Sequence, residues 1–184
     1  MTSKVDICNS ALRKLGVERI NSLTEDNSRA KICNDRYEII KKEVLRSHPW
    51  KCAIKRTSLA ALTTVPLFDW TVQYQIPSDC LRVIKVNAEV TKWAQEGDLI
   101  LSDETVCKVK YISNVEESLL DSSLVEVIAF RLALDLCYTI TQSSPREQTL
   151  QAQYSVFLAD ARSFSAQSAN QDELYISSYT DVRY

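Results

Sequence analysis

The hydrophobic period of the chain changes at His48-Pro49-Trp50, and that break limits the possible folds more than any other feature. Upstream of it, apolar residues recur at the helical spacings of three and four. The residue before a proline avoids helical geometry, so a helix must end there. Downstream, Trp50, Cys52 and Ile54 alternate with charged Lys51 and Lys55, and Trp70, Val72, Tyr74 and Ile76 alternate again. Alternation is the mark of a half-buried strand. Helical spacing returns only at Ser123. A chain written helix, strand, helix reads as α+β.

Four helices are expected. The first, about Thr2 to Leu15, carries Val5, Cys8, Leu12 and Leu15 on one stripe, with Gly16 where a left-handed cap would sit. The second ends at Ser47 and has the stripe Ala30, Cys33, Tyr37, Ile40 and Val44. Its Lys41, Lys42 and Arg46 read as a solvated far face. The third opens on Ser123-Leu124-Val125-Glu126, which fits a capping box, and is apolar nearly all round, as a central helix would be. Its Arg131 and Asp135 are one turn apart and are expected to pair with each other. The fourth opens on Ser144-Pro145-Arg146-Glu147, again a capping box, with proline at the first helical position. Leu150, Tyr154, Phe157, Ala161 and Phe164 form its stripe.

In the middle, Leu81, Val83 and Lys85 should share one strand face, with Arg82, Ile84 and Val86 on the other. Thr91 to Ser102 reads as a hairpin turning at Gly97-Asp98, followed by a strand over Val106 to Ile112. The expected architecture is therefore α+β, mainly α. It is an antiparallel helical bundle with one small antiparallel sheet inserted and an extended C-terminal tail. The helical part takes residues 1–49 and 121–168, the β-rich part 50–120 and the tail 169–184. The tail has no helical period yet holds Leu174, Tyr175, Ile176, Tyr179, Val182 and Tyr184. Plain disordered tails are poor in aromatics, so this one is expected to order on a partner surface.

Composition removes several function classes. Only Gly16 and Gly97 occur in 184 residues, against a usual frequency of about 7%. Phosphate-cradling loops need several glycines, which excludes a P-loop or a dinucleotide fingerprint. The net charge is −2, and the sequence shows no basic stripe or cluster that would make phosphate-backbone binding the main task. No stretch of about 18 apolar residues could span a bilayer. The opening Met1-Thr2-Ser3-Lys4-Val5-Asp6 has no apolar leader segment, so the six scattered cysteines are expected to be reduced, mostly buried thiols. His48 is the only histidine, and beside Pro49 and Trp50 it reads as a helix-end residue rather than a catalytic base. The cysteines lack metal-ligand spacing, so neither a metal nor a cofactor is expected. Asp69, Asp79, Asp98 and Asp103 read as turn residues. No enzyme site converges in the sequence. A nucleic-acid module stays open as the alternative, with Trp70, Tyr74 and Trp93 stacking bases and Arg82 and Lys92 on phosphates.

Four segments, in this order and spacing, carry a resemblance. They are Ile7 to Asp26 (ICNSALRKLGVERINSLTED), Glu43 to Trp50 (EVLRSHPW), Trp70 to Val83 (WTVQYQIPSDCLRV) and Val127 to Ala133 (VIAFRLA). Together they resemble the head-to-tail adaptors of short-tailed phages, the tail tubular protein A or tail accessory factor family. The likeness runs from residue 4 to about 165. It implies a non-enzymatic virion component, assembled in the bacterial cytoplasm and located in the neck. Such proteins form a ring, typically twelve-fold, below the portal. They extend the DNA channel, through which the genome passes without specific binding. They also carry the platform for the downstream tail or nozzle protein. The C-terminal segment commonly grips the portal, a role that would fall here to Leu174, Tyr175, Ile176, Tyr179 and Tyr184.

Overall fold

The computed structural model describes residues 2–87 and 92–167. Among these the elements follow as α1 (Lys4–Lys14), α2 (Ser28–Ser47), β1 (Ile54–Leu59), β2 (Val72–Gln75), β3 (Cys80–Val86), β4 (Trp93–Glu96), β5 (Leu99–Ser102), β6 (Cys107–Ser113), α3 (Ser122–Thr141) and α4 (Ser144–Gln167).

The helix ends follow from local chemistry. Ser3 and Asp6 close a reciprocal capping box at the start of α1. At its end Gly16 takes φ +67°, with Gly16 N–H donating to Arg13 O (2.9 Å) and Val17 N–H to Leu12 O (3.1 Å). That pair of bonds is a Schellman motif, and the left-handed residue favours glycine. Asn27 caps α2 through Arg29 N–H. At the far end of α2, His48 is extended and the Trp50 indole N–H donates to Val44 O at 2.9 Å. The proline break thus returns a buried tryptophan onto the helix it ends, with His48 edge-on to its ring. Two caps differ from expectation. Asp121, not Ser123, caps α3, because its side chain already accepts from Ser123 N–H. The first turn of α4 begins a residue earlier than expected, with Glu147 N–H on Ser143 O. Gln142 in the left-handed region turns the chain so sharply that only Gln142 and Ser143 separate the two helices.

The described residues form not one inserted sheet but two three-stranded antiparallel sheets, ordered β1-β6-β3 and β2-β5-β4. Nor do the helices close on themselves as a bundle. Their apolar core takes Trp50, Ala53, Ile112, Val115 and Leu120 from the β-rich segment, so one face of the β1-β6-β3 sheet is a wall of that core. The other face of the same sheet meets Tyr74 and Ile100 of the second sheet around Val86, Cys107, Val109 and Tyr111. The strands split because β4 and β5 join through the expected turn at Gly97-Asp98, and β2 then pairs with β5 rather than with β3.

The expected face assignment on β3 also fails. Its pairing with β6 slips between Cys80 and Arg82 and again between Val83 and Lys85. Each bulge adds a residue and reverses the alternation. Cys80, Val83 and Val86 therefore pack on the second core, while Leu81 and Ile84 pack on the helical one.

Replacing Trp50 tests how far the helical core depends on the turn-back. Trp50→Ala should cost about 3–5 kcal/mol in denaturant unfolding. Trp50→Phe keeps most of the ring packing and loses only the indole hydrogen bond, so it should cost about 1 kcal/mol.

Candidate functional site

The five tail residues singled out in the sequence, Leu174, Tyr175, Ile176, Tyr179 and Tyr184, lie outside the described residues. What the structure gives is their point of departure. Ser165 in the last turn of α4 is buried, and its Oγ accepts from Lys51 N–H at 3.3 Å. The described part of α4 therefore ends, at Gln167, beside the approach to β1.

The aromatics of the nucleic-acid alternative do not share one open face. Tyr74 is fully buried in the second core and donates its hydroxyl to Glu104 O. Trp93 is half-buried against the same core. Trp70 is half-buried in the loop that precedes β2. Arg82 lies on β3 and Lys92 is exposed before β4.

Three features of the described surface stand out instead. The first is a set of ion pairs that fasten the helices. Arg131 and Asp135 do not pair within α3. Arg131 donates to Glu43 of α2 (3.0 Å), and Arg36 of α2 makes a two-pronged bond to Asp135 (2.7 and 2.9 Å). Lys14 of α1 binds Glu126 of α3 (2.6 Å) and sits 4.0 Å over the Phe130 ring. Lys41 corrects the solvated-face reading of α2, since it is only 3% exposed. Its ammonium is held by Glu117 at 2.8 Å, and Tyr37 donates to the same carboxylate oxygen at 3.1 Å. Burial works to raise the Glu117 carboxyl, but the bonds from Lys41 and Tyr37 outweigh it and hold its pKa below the ordinary 4.5. Burial and the same carboxylate push the Tyr37 phenol well up.

The second feature is apolar. Between β1 and β2 the loop Val65-Pro66-Leu67-Phe68-Asp69-Trp70 lies over Leu99 and Leu101 on the outer side of the second sheet. Leu101 is thereby buried, yet Val65 is 65%, Phe68 75% and Leu67 98% exposed. Asp69 turns the loop with φ +66°, and the Asp103 carboxylate ties its end by accepting from Thr71 N–H at 3.1 Å. Thus Asp69 and Asp103 act as turn residues, as their sequence context suggests. Asp79 does more than turn the chain: its carboxylate accepts from Lys55 (2.7 Å) and from the Tyr111 hydroxyl (3.1 Å). Burial, then Asp79, pushes Tyr111 up to about 12.

The third feature corrects the expectation that the chain has no basic stripe, because the register gathers cations that are scattered in sequence. In the β1-β6-β3 register, Arg56 stands opposite Lys110 and Lys110 opposite Lys85. One step along, Ser58 stands opposite Lys108. Side chains directly opposite one another share a face. These cations therefore form two adjoining rows on the face that points away from the second sheet. They line a groove of about 510 Å³ together with Thr57, Asn87 and Val109. The alternation of Lys108 and Lys110 with apolar neighbours was legible, but the register that sets Arg56 and Lys85 beside them is a long-range fact. Below the rows, on the same face, Arg82 stands opposite Ile112. Its charge reaches His48, whose pKa is lowered by burial and then by Arg162, Arg82 and Lys51.

All six cysteines are free thiols, with Cys8, Cys33, Cys107 and Cys137 buried. Among the described residues no group of three or more His, Cys, Asp or Glu is placed to hold a metal ion, and no helix is long and apolar enough to cross a membrane.

Glu117 offers a pH test with a definite sign. A carboxyl whose folded pKa is depressed contributes stability that is complete above its unfolded value and is lost as pH falls through the folded one. Stability should therefore drop as pH is lowered below about 4.5. Glu117→Gln leaves the Lys41 ammonium buried without a counter-charge and should cost about 3–5 kcal/mol at neutral pH. Its unfolding should also lose part of the acid dependence, read from urea midpoints across that pH range.

No protein-family model matches the chain, and no curated protein matches it.

Proposed function

We propose that the chain is a structural subunit of a phage neck, a head-to-tail adaptor that forms a ring below the portal and carries the platform for the tail. The order of the four resembling segments supports this reading. The observation that carries it is the apolar loop at the outer edge of the paired sheets, where Leu67 and Phe68 stand in water. Large exposed apolar groups clustered on a projecting loop mark a contact surface. In an adaptor this loop meets the next tail component. The helices supply a stiff wall, since α1 and α2 are each tied to α3 by charged pairs at their interfaces.

A ring also needs two different, complementary side surfaces, because a heterologous contact closes only by rotation. Ile39 on α2 and Val156 on α4 are each more than half exposed and lie on separate helices packed on α3. They are suited to opposite sides of the copy-to-copy contact. In this reading Leu174, Tyr175, Ile176, Tyr179 and Tyr184 grip the portal, and the genome passes through the channel.

Mixing the chain with its portal and imaging the product by electron microscopy tests the proposal directly. A ring seated on the portal is expected, and a chain that stays monomeric beside intact portals overturns the assignment. Two variants divide the roles. The double substitution Leu67→Ser and Phe68→Ser should leave stability within about 0.5 kcal/mol of the parent. Its rings should form on the portal but fail to recruit the downstream tail protein. Truncation after Ala169 should give a folded protein that no longer docks on the portal. Normal docking by the truncated chain would remove the role given to the tail.

A further inference from the structure

We propose that the cationic face of the β1-β6-β3 sheet holds the phosphate backbone of a nucleic-acid duplex. The inference stands apart from the neck assignment and concerns the free chain.

The first argument is electrostatic. Arg56 and Lys110 are direct cross-strand partners, and like charges directly opposite each other destabilise a sheet. Among the described residues, Arg56, Lys108 and Lys110 have no carboxylate partner, whereas Lys14, Arg36, Lys41 and Arg131 on the helices all do. A chain of net charge −2 thus gathers positive charge on one small face instead of spreading it among its carboxylates. A bound polyanion relieves that repulsion.

The second argument is geometric. Lys108 and Lys110 are two residues apart on one strand, a span of about 7 Å, with Arg56 flanking one row and Ser58 the other. Backbone binders use such mixtures of cations and hydroxyls on phosphate oxygens. Lys108 is held in place by Asn87, whose side chain accepts from Lys108 N–H (2.6 Å) and donates to Val106 O (2.7 Å). Further along the same sheet face, Arg82 stands opposite Ile112.

The third argument selects the polyanion. An extended acidic peptide would need pockets for its alternate side chains. This groove is lined by lysine and arginine stems and short polar groups, with only Val109 apolar. Single-strand binders stack bases on aromatic rings, and no aromatic residue lines the groove. A duplex backbone asks for neither.

Fluorescence anisotropy of a short labelled DNA duplex, with the intact chain, tests the proposal. Three phosphate contacts give a log–log salt slope of about −2.7, so affinity should fall roughly 40-fold between about 50 and 200 mM salt. The double variant Arg56→Gln and Lys110→Gln removes two contacts, and its affinity should fall only about 3.5-fold over the same range. Its thermal midpoint should match or exceed that of the parent, because a like-charge pair has been removed. Lys108→Gln, at an exposed position, gives an independent variant with an intermediate slope. A second readout needs no variant. His48 is the only histidine, and its imidazole resonance should titrate at higher pH once DNA is bound, as the anion offsets Arg82, Arg162 and Lys51. Binding that is absent at low salt, insensitive to salt or unchanged in the double variant overturns the proposal. So does polyglutamate competing as well as DNA at equal charge, which would assign the face to an acidic peptide.

Discussion

Two bulges in β3 let a single three-stranded sheet close two cores at once. With strict alternation, Leu81 and Val83 would point the same way, and one core would lose its wall. The slips at Arg82 and Lys85 turn Leu81 and Ile84 to the helices and Cys80, Val83 and Val86 to the second sheet. A bulge leaves backbone groups without ladder partners, so the strand must be pinned at both ends. It is. Asp79 O accepts from Asn114 N–H at one end, and the Asn87 side chain bridges Val106 and Lys108 at the other. The helical core, the second core and the position of the cation rows all rest on this one register.

What could be read beforehand was local. The stop of α2, the Schellman glycine after α1 and the turn at Gly97-Asp98 each depend on a few adjacent residues. What could not be read was set by partners far along the chain. Lys41 looked solvated because its counter-ion, Glu117, is 76 residues away. Arg131 and Asp135 looked like a pair because the sequence shows their one-turn spacing but not Glu43 or Arg36 across the interface. The division into two sheets followed from β2 choosing β5, which no alternation pattern encodes. For the same reason Asp69 was readable as a turn residue but the apolar surface around it was not, and the cation rows were legible only as the alternation of Lys108 and Lys110.

Charge is used in two opposite ways in this fold. At the helix interfaces basic groups meet carboxylates from other elements, and the most buried of them, Lys41, has Glu117 against it with Tyr37 on the same oxygen. Breaking such a pair is costly because the surviving charge stays out of water. On the sheet the arrangement is reversed, with Arg56 set against Lys110. The cost there is small, since Arg56 is exposed and screened by solvent. Pairing at the interfaces makes the helical part rigid, while repulsion on the exposed rows leaves a field available to a ligand.

The layer order then decides whether two partners could be held together. The loop with Leu67 and Phe68 covers the outer side of the β2-β5-β4 sheet. The cations lie on the β1-β6-β3 face that looks away from that sheet, because their strand neighbours Val86, Cys107 and Val109 face it. Two sheets therefore stand between the apolar contact and the cationic one. A protein seated on the loop and a polyanion along the rows would not compete for the same side chains. Coupling between them would have to pass through the Tyr74, Ile100 and Val109 core, whose buried polar groups are the Tyr74 and Tyr111 hydroxyls and the Cys107 thiol. Both hydroxyls are already held, by Glu104 O and by Asp79. On this architecture the two proposed contacts would act as independent sites, so a partner bound at one would leave the affinity of the other unchanged.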